Sequence, residues 1–69
     1  MDVPQIKVIS TQRAVEILKE HGMTTNQNKI GIGLQQKVYP LGVAIHFKNR
    51  WAYEIYEHQL RQWIAERTG

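Results

Sequence analysis

The sequence predicts a small α+β domain, and three observations carry that expectation. Near the N-terminus Ala14, Val15, Leu18 and Ile17 form an apolar stripe between Arg13, Glu16, Lys19 and Glu20, the pattern of an amphipathic helix. Further on, two short apolar runs, Val43 to Phe47 and Trp51 to Ile55, flank a basic, polar turn at Lys48, Asn49 and Arg50, which reads as a β-hairpin. At the C-terminal end Leu60, Trp63 and Ile64 fall at i, i+3 and i+4, the spacing of a second amphipathic helix from His58 to Arg67.

Taken in order, Ile6 to Ile9 is a short strand or an extended lead-in. Ser10 or Thr11 supplies an N-cap hydroxyl for the first helix, which runs for about ten residues, and Gly22 is a natural residue to end it. Thr24 or Thr25 then caps a second element almost at once, so helix, short turn and second cap follow the spacing of a helix-turn-helix. That second element, Asn26 to Lys37, has two readings. As a helix it buries Ile30 and Leu34 one turn apart, with Asn26 and Gly33 at the edge. As a strand, Ile30, Ile32 and Leu34 alternate with Gly31, Gly33 and Gln35. Its two glycines weaken either structure. Pro40 closes the element, and Leu41-Gly42 turns the chain into the hairpin.

At 69 residues the chain is expected to be one domain, residues 1–69, near the lower limit for folding on a single core. A 42% hydrophobic share supports a small core and argues against disorder. There is no cysteine, hence no disulfide framework and no thiolate metal site. Neither a signal peptide nor a stretch of about 20 apolar residues is present, so a soluble cytoplasmic protein without a membrane partner is expected. So small a core leaves little room for a deep substrate pocket, and an enzyme is not expected.

Charge is distributed unevenly. Between Glu20 and Glu54 there is no acidic residue, yet Lys29, Lys37, Lys48 and Arg50 lie there. The flanking segments nearly cancel, so the net charge of +3 resides in the centre. A cationic centre between neutral flanks points to an anionic partner, nucleic acid first.

Other chemistry is thinly represented. His21, His46 and His58 form no i, i+4 zinc pair, and no cofactor or metal is expected. Gly31-Ile32-Gly33 resembles the start of a dinucleotide fingerprint, but Gln36 stands at the third glycine position and no βαβ unit surrounds it. Trp51, Tyr53 and Trp63 could stack on bases, although in a domain this size they read first as large core residues. If the second element is a helix, the face opposite Ile30 and Leu34 carries Asn28, Lys29, Ile32, Gln35 and Gln36. Amides pair with adenine and isoleucine meets a thymine methyl.

The segments Leu34-Gln35-Gln36, Tyr39-Pro40-Leu41-Gly42 and Arg50-Trp51-x-Tyr53 carry a resemblance. Together they resemble the small excisionase-type proteins of phages and integrative mobile elements, winged helix-turn-helix domains related to the MerR family. The chain departs from that pattern at Lys37, where glycine is usual, and at Gly31, where arginine is frequent. The resemblance covers about Ile6 to Ile64 and implies that the second element is a helix lying in the major groove, with the hairpin as wing. It implies sequence-specific binding to double-stranded DNA, bending or bridging it, and biasing a tyrosine or serine integrase toward excision, with cooperative self-association on DNA. The contact residues expected are Thr25, Asn26, Asn28, Lys29, Ile32, Gln36, Lys48, Asn49 and Arg50, with Lys29, Lys48 and Arg50 on phosphate and the Thr25 hydroxyl setting the register. Two other roles fit the sequence: a transcriptional regulator of the same kind of element, and a protein-interaction module using an apolar surface of Tyr39, Leu41 and Ile32.

Overall fold

A computed structural model describes residues 3–68. Three helices and a three-stranded antiparallel sheet follow in the order β1 (Val8–Ile9), α1 (Thr11–Glu20), α2 (Gln27–Gln35), β2 (Gly42–Phe47), β3 (Arg50–Tyr56) and α3 (Glu57–Arg67). The α+β class expected from the sequence is therefore present, and the segment with two readings is helical.

Local chemistry accounts for each boundary. The Ser10 hydroxyl accepts from the Arg13 amide at 3.0 Å and caps α1. Gly22, at φ 87°, ends that helix: its amide donates to the Lys19 carbonyl and the Met23 amide donates to the Leu18 carbonyl, the paired bonds of a Schellman motif. The start of α2 differs from expectation. Asn26, rather than Thr24 or Thr25, is the N-cap, its Oδ1 accepting from the Lys29 amide at 2.8 Å. The end of α2 repeats the Schellman pattern, with Lys37→Leu34 and Val38→Gly33 amide bonds, and places Lys37 at φ 60°. This left-handed backbone favours glycine, and here a lysine occupies it.

The sheet order is β1-β3-β2, so β3 lies in the middle. Pairing runs from Gly42 opposite Ile55 to Phe47 opposite Arg50, which leaves a two-residue loop, Lys48-Asn49, and brings Arg50 into the strand. Lys48 takes φ 55°, the positive first position that lets a short hairpin loop follow the strand twist. β1 is shorter than the expected Ile6 to Ile9: only Val8 and Ile9 pair, opposite Tyr56 and Ile55, and Ile6 is exposed.

Alternation divides the sheet into two faces. On the inner face Ile9, Ala44, Tyr53 and Ile55 pack toward a core of Ala14, Val15, Ile17, Leu18, Ile30, Leu34, Leu41, Leu60 and Ile64. One expected core placement changes. Trp51 shares the inner face but lies near the hairpin end, beyond the cover of the helices, and is 42% exposed. Trp63 is half-buried and packs against the core, edge-on to Tyr39, with the Arg67 guanidinium 4.0 Å from its ring centre.

The glycines of α2 have a packing reason. Gly31 and Gly33 are buried, with the Tyr53 ring resting on Gly31 and the Tyr39 ring on Gly33. A Cβ at Gly31 would lie 3.0 Å from Tyr53, and one at Gly33 would overlap the Tyr39 ring. Gly33 is thus a seat for Tyr39 rather than an edge position. The helix accepts two residues of poor propensity because each admits a tyrosine against its backbone.

Candidate nucleic-acid interface

The exposed side of α2 is set by the burial of Ile30, Gly31, Gly33 and Leu34, which leaves Gln27, Asn28, Lys29, Ile32 and Gln36 in solvent. Five of the expected contact residues meet there: Asn26, Asn28, Lys29, Ile32 and Gln36 line one shallow hollow of about 300 Å³, with Val38 and Tyr39. Ile32 is 44% exposed, an apolar side chain presented among amides. Asn26 belongs to the same hollow, but its side-chain oxygen is committed to the helix cap, leaving its amide NH₂ as the free donor.

Thr25 departs from its expected role. It is buried, at 6% exposure, and its hydroxyl has no hydrogen-bond partner among the described residues. A side chain enclosed just ahead of the Asn26 cap cannot offer that hydroxyl to a phosphate without leaving its site. Gln35 is likewise occupied, its Nε2 donating to the Tyr53 hydroxyl at 2.7 Å. Tyr53 is therefore fixed by packing on Gly31 and by this bond.

Lys48, Asn49 and Arg50 all lie exposed at the hairpin end. Arg50 rests over the Phe47 ring, 5.0 Å from its centre. On the inner face His46 stacks on Trp51 with ring centres 4.7 Å apart. This aromatic pair was missed in the sequence, where both residues read as strand interior. The available signal was position: they are the last inner-face residues before the loop. A second hollow, of about 370 Å³, joins the hairpin to the end of α2, with Gln35 and Lys37 on one side and Val43, Ala44 and Trp51 on the other. Tyr39 borders both hollows, so the amide face of α2 and the groove beside Lys37 and Trp51 meet at that residue.

Outside this surface most cations are paired, Lys19 of α1 being the exception among the described residues. Lys7 pairs with Glu57 at 2.9 Å, Arg13 with Glu16 at 3.2 Å, Arg61 with Glu57 at 3.2 Å and Arg67 with Glu66 at 3.6 Å. Among the described residues, Lys29, Lys37, Lys48 and Arg50 have no carboxylate within ion-pair distance. Contact between Lys7 and Glu57 holds the Glu57 carboxyl below its ordinary range despite partial burial, and Arg61 adds to this. The Tyr56 phenol is raised, first by donating to the Glu54 carboxylate.

The described residues contain no group of three or more His, Cys, Asp or Glu placed to hold a metal ion. Among the described residues no helix is long and apolar enough to cross a membrane. Of the apolar surface expected at Tyr39, Leu41 and Ile32, Leu41 is buried at 1% exposure, while Ile32 and Tyr39 line the same hollow. No protein-family model, no curated protein and no solved structure matches this chain.

Proposed function

We propose that this protein is a winged helix-turn-helix DNA-binding protein that acts as an excisionase, a recombination directionality factor. The observation that carries the DNA-binding part is the distribution of charge: the cations of α2, its exit turn and the hairpin tip lack carboxylate partners among the described residues, while of the five cations elsewhere Lys7, Arg13, Arg61 and Arg67 are paired and only Lys19 is not. Cations that no carboxylate neutralises can replace the counterions condensed on DNA, and release of those counterions drives binding. In this reading α2 enters the major groove with Asn28, Ile32 and Gln36 toward base edges and Lys29 on phosphate. Lys48 and Arg50 hold the neighbouring backbone, with Asn49 between them, and Trp51 lies alongside.

The excisionase role rests on the motif resemblance at Leu34-Gln35-Gln36, Tyr39-Pro40-Leu41-Gly42 and Arg50-Trp51-x-Tyr53. In that role the protein makes and breaks no covalent bond. Several copies bind beside a recombination site, bend the duplex and favour excision by a partner integrase. A transcriptional regulator would use the same surface, since the fold does not separate the two roles.

The test is a salt titration of DNA affinity for the parent and for Lys48→Ala/Arg50→Ala. The expected outcome is weaker binding and a log–log salt slope reduced by about one unit per lost phosphate contact. Unchanged affinity and slope would remove the hairpin from the interface. Excision in a reconstituted recombination reaction, with and without the protein, then separates the excisionase from the regulator.

A further inference from the structure

The outer face of the sheet has no helix over it, and it is apolar where a solvent-facing sheet surface alternates to polar residues. Val8, Val43, Ile45 and Phe47 are 52%, 41%, 43% and 42% exposed, and none of them packs on the core. Register places them on one side of the sheet with Arg50, Ala52, Glu54 and Tyr56. The grouping is contiguous rather than scattered, which marks a contact surface.

We propose that this face binds a second copy of the chain, face to face, about a two-fold axis through the Ile45–Ala52 pair. The reason for choosing a second copy is the order of residues along the two strands. Ile45 lies opposite Ala52, and both strands are centred there: Val43 and Phe47 flank Ile45 on β2, and Glu54 and Arg50 flank Ala52 on β3. A two-fold axis lying between the sheets and perpendicular to the strands stacks β3 antiparallel on β3 and β2 antiparallel on β2. Arg50 then meets the partner's Glu54, Val43 meets the partner's Phe47, and Ile45 meets its own counterpart. An isologous contact requires this self-complementarity of charge and shape. Neither Arg50 nor Glu54 has an ion-pair partner among the described residues. Glu54 accepts only the Tyr56 hydroxyl, at 3.1 Å, and Arg50 lies over Phe47.

Size sets the strength of the association. A face about 20 Å along the strands and about 10 Å across β2 and β3 gives, with side-chain relief, a total buried area on the order of 800 Å². That belongs to the class of weak, concentration-dependent dimers. Dimerisation and the phosphate contact proposed for Arg50 therefore compete for one guanidinium.

Sedimentation equilibrium of the full chain without DNA tests the proposal, and its failure is separate from any failure of DNA binding. The parent is expected to dimerise with a Kd of about 10–500 μM, and a monomer at every concentration up to about 1 mM would overturn it. Ile45→Glu is expected to raise that Kd at least about tenfold with little change in melting temperature, because Ile45 faces solvent in the monomer. Dimerisation unaffected by this change would move the contact elsewhere, to the free edge of β2. The charged pair supplies an arm that does not depend on the apolar centre. Arg50→Glu alone and Glu54→Arg alone should each weaken the dimer about tenfold, and the two together should restore it to within about threefold. A double variant as weak as the single ones would overturn the two-fold register.

Discussion

Lys37 and Lys48 are the two non-glycine residues at positive φ among those described, at 60° and 55°. For an L-residue that conformation costs about 1–2 kcal/mol, so each lysine is held there by the structure around it. Lys37 occupies the residue after the α2 cap, fixed by its own amide bond and that of Val38. Lys37→Gly is therefore expected to raise stability by about 0.5–1 kcal/mol, the left-handed penalty less the extra chain entropy of glycine, as read from denaturant midpoints. The same variant removes a partnerless cation, so DNA affinity should fall at low salt as stability rises. Thr25 offers a second test. Its enclosed hydroxyl has no partner among the described residues, and Thr25→Val keeps the shape while removing the polar atom. The variant should be more stable by about 1 kcal/mol and should bind DNA as the parent does. A loss of DNA affinity at unchanged fold would return the Thr25 hydroxyl to the interface.

Among elements, α2 carries the most conflicting local signals. Period-two and helical patterning are both present in Ile30 to Gln36, and glycine favours neither. Packing decides between them: two tyrosine rings fit against the glycine backbone only when Gly31 and Gly33 lie on the inner side of a helix. The same rotation leaves Asn28, Lys29, Ile32 and Gln36 outward. If this face reads bases, Asn28→Ala and Gln36→Ala should each reduce preference for the cognate site over scrambled duplex by about 1–3 kcal/mol. Non-specific affinity should stay nearly constant, because neither side chain is charged. Lys29→Ala should weaken both duplexes alike. Equal losses on both duplexes for the amide variants would assign specificity to the hairpin or to DNA shape.

At the scale of the whole molecule, Glu57 links β1, β3 and α3. It opens α3 directly after β3, its amide donates to the Lys7 carbonyl at 3.0 Å, and its carboxylate pairs with Lys7 and Arg61. A carboxylate in the first turn also complements the helix dipole. Since contact with Lys7 lowers its pKa in the folded state, Glu57 stabilises the fold above its ordinary value of 4.5, and that contribution is lost as pH falls below it. Melting temperatures of the parent and of Glu57→Gln should differ near neutral pH and converge as pH falls below that value. A gap that persists at pH about 2–3 would mean that packing, rather than charge, accounts for the difference.

The sequence by itself determined the α+β class, the amphipathic α1 and α3, the Gly22 stop, the hairpin and the acid-free centre, because each is written in local periodicity, caps or charge. Burial of the α1 stripe at Ala14, Val15, Ile17 and Leu18 follows the same local rule. Local pattern left the state of α2 open, and the tertiary structure supplies the reason for its glycines, the rings that arrive from Tyr39 and Tyr53. Only tertiary structure decided which residues are left uncovered. Thr25 and Leu41 go inside, Trp51 stays out beyond the helices, and the outer sheet face of Val43, Ile45 and Phe47 is left without a layer over it. Period-two patterning assigns alternate residues to a common face, but which face gains a helical layer depends on where distant segments pack.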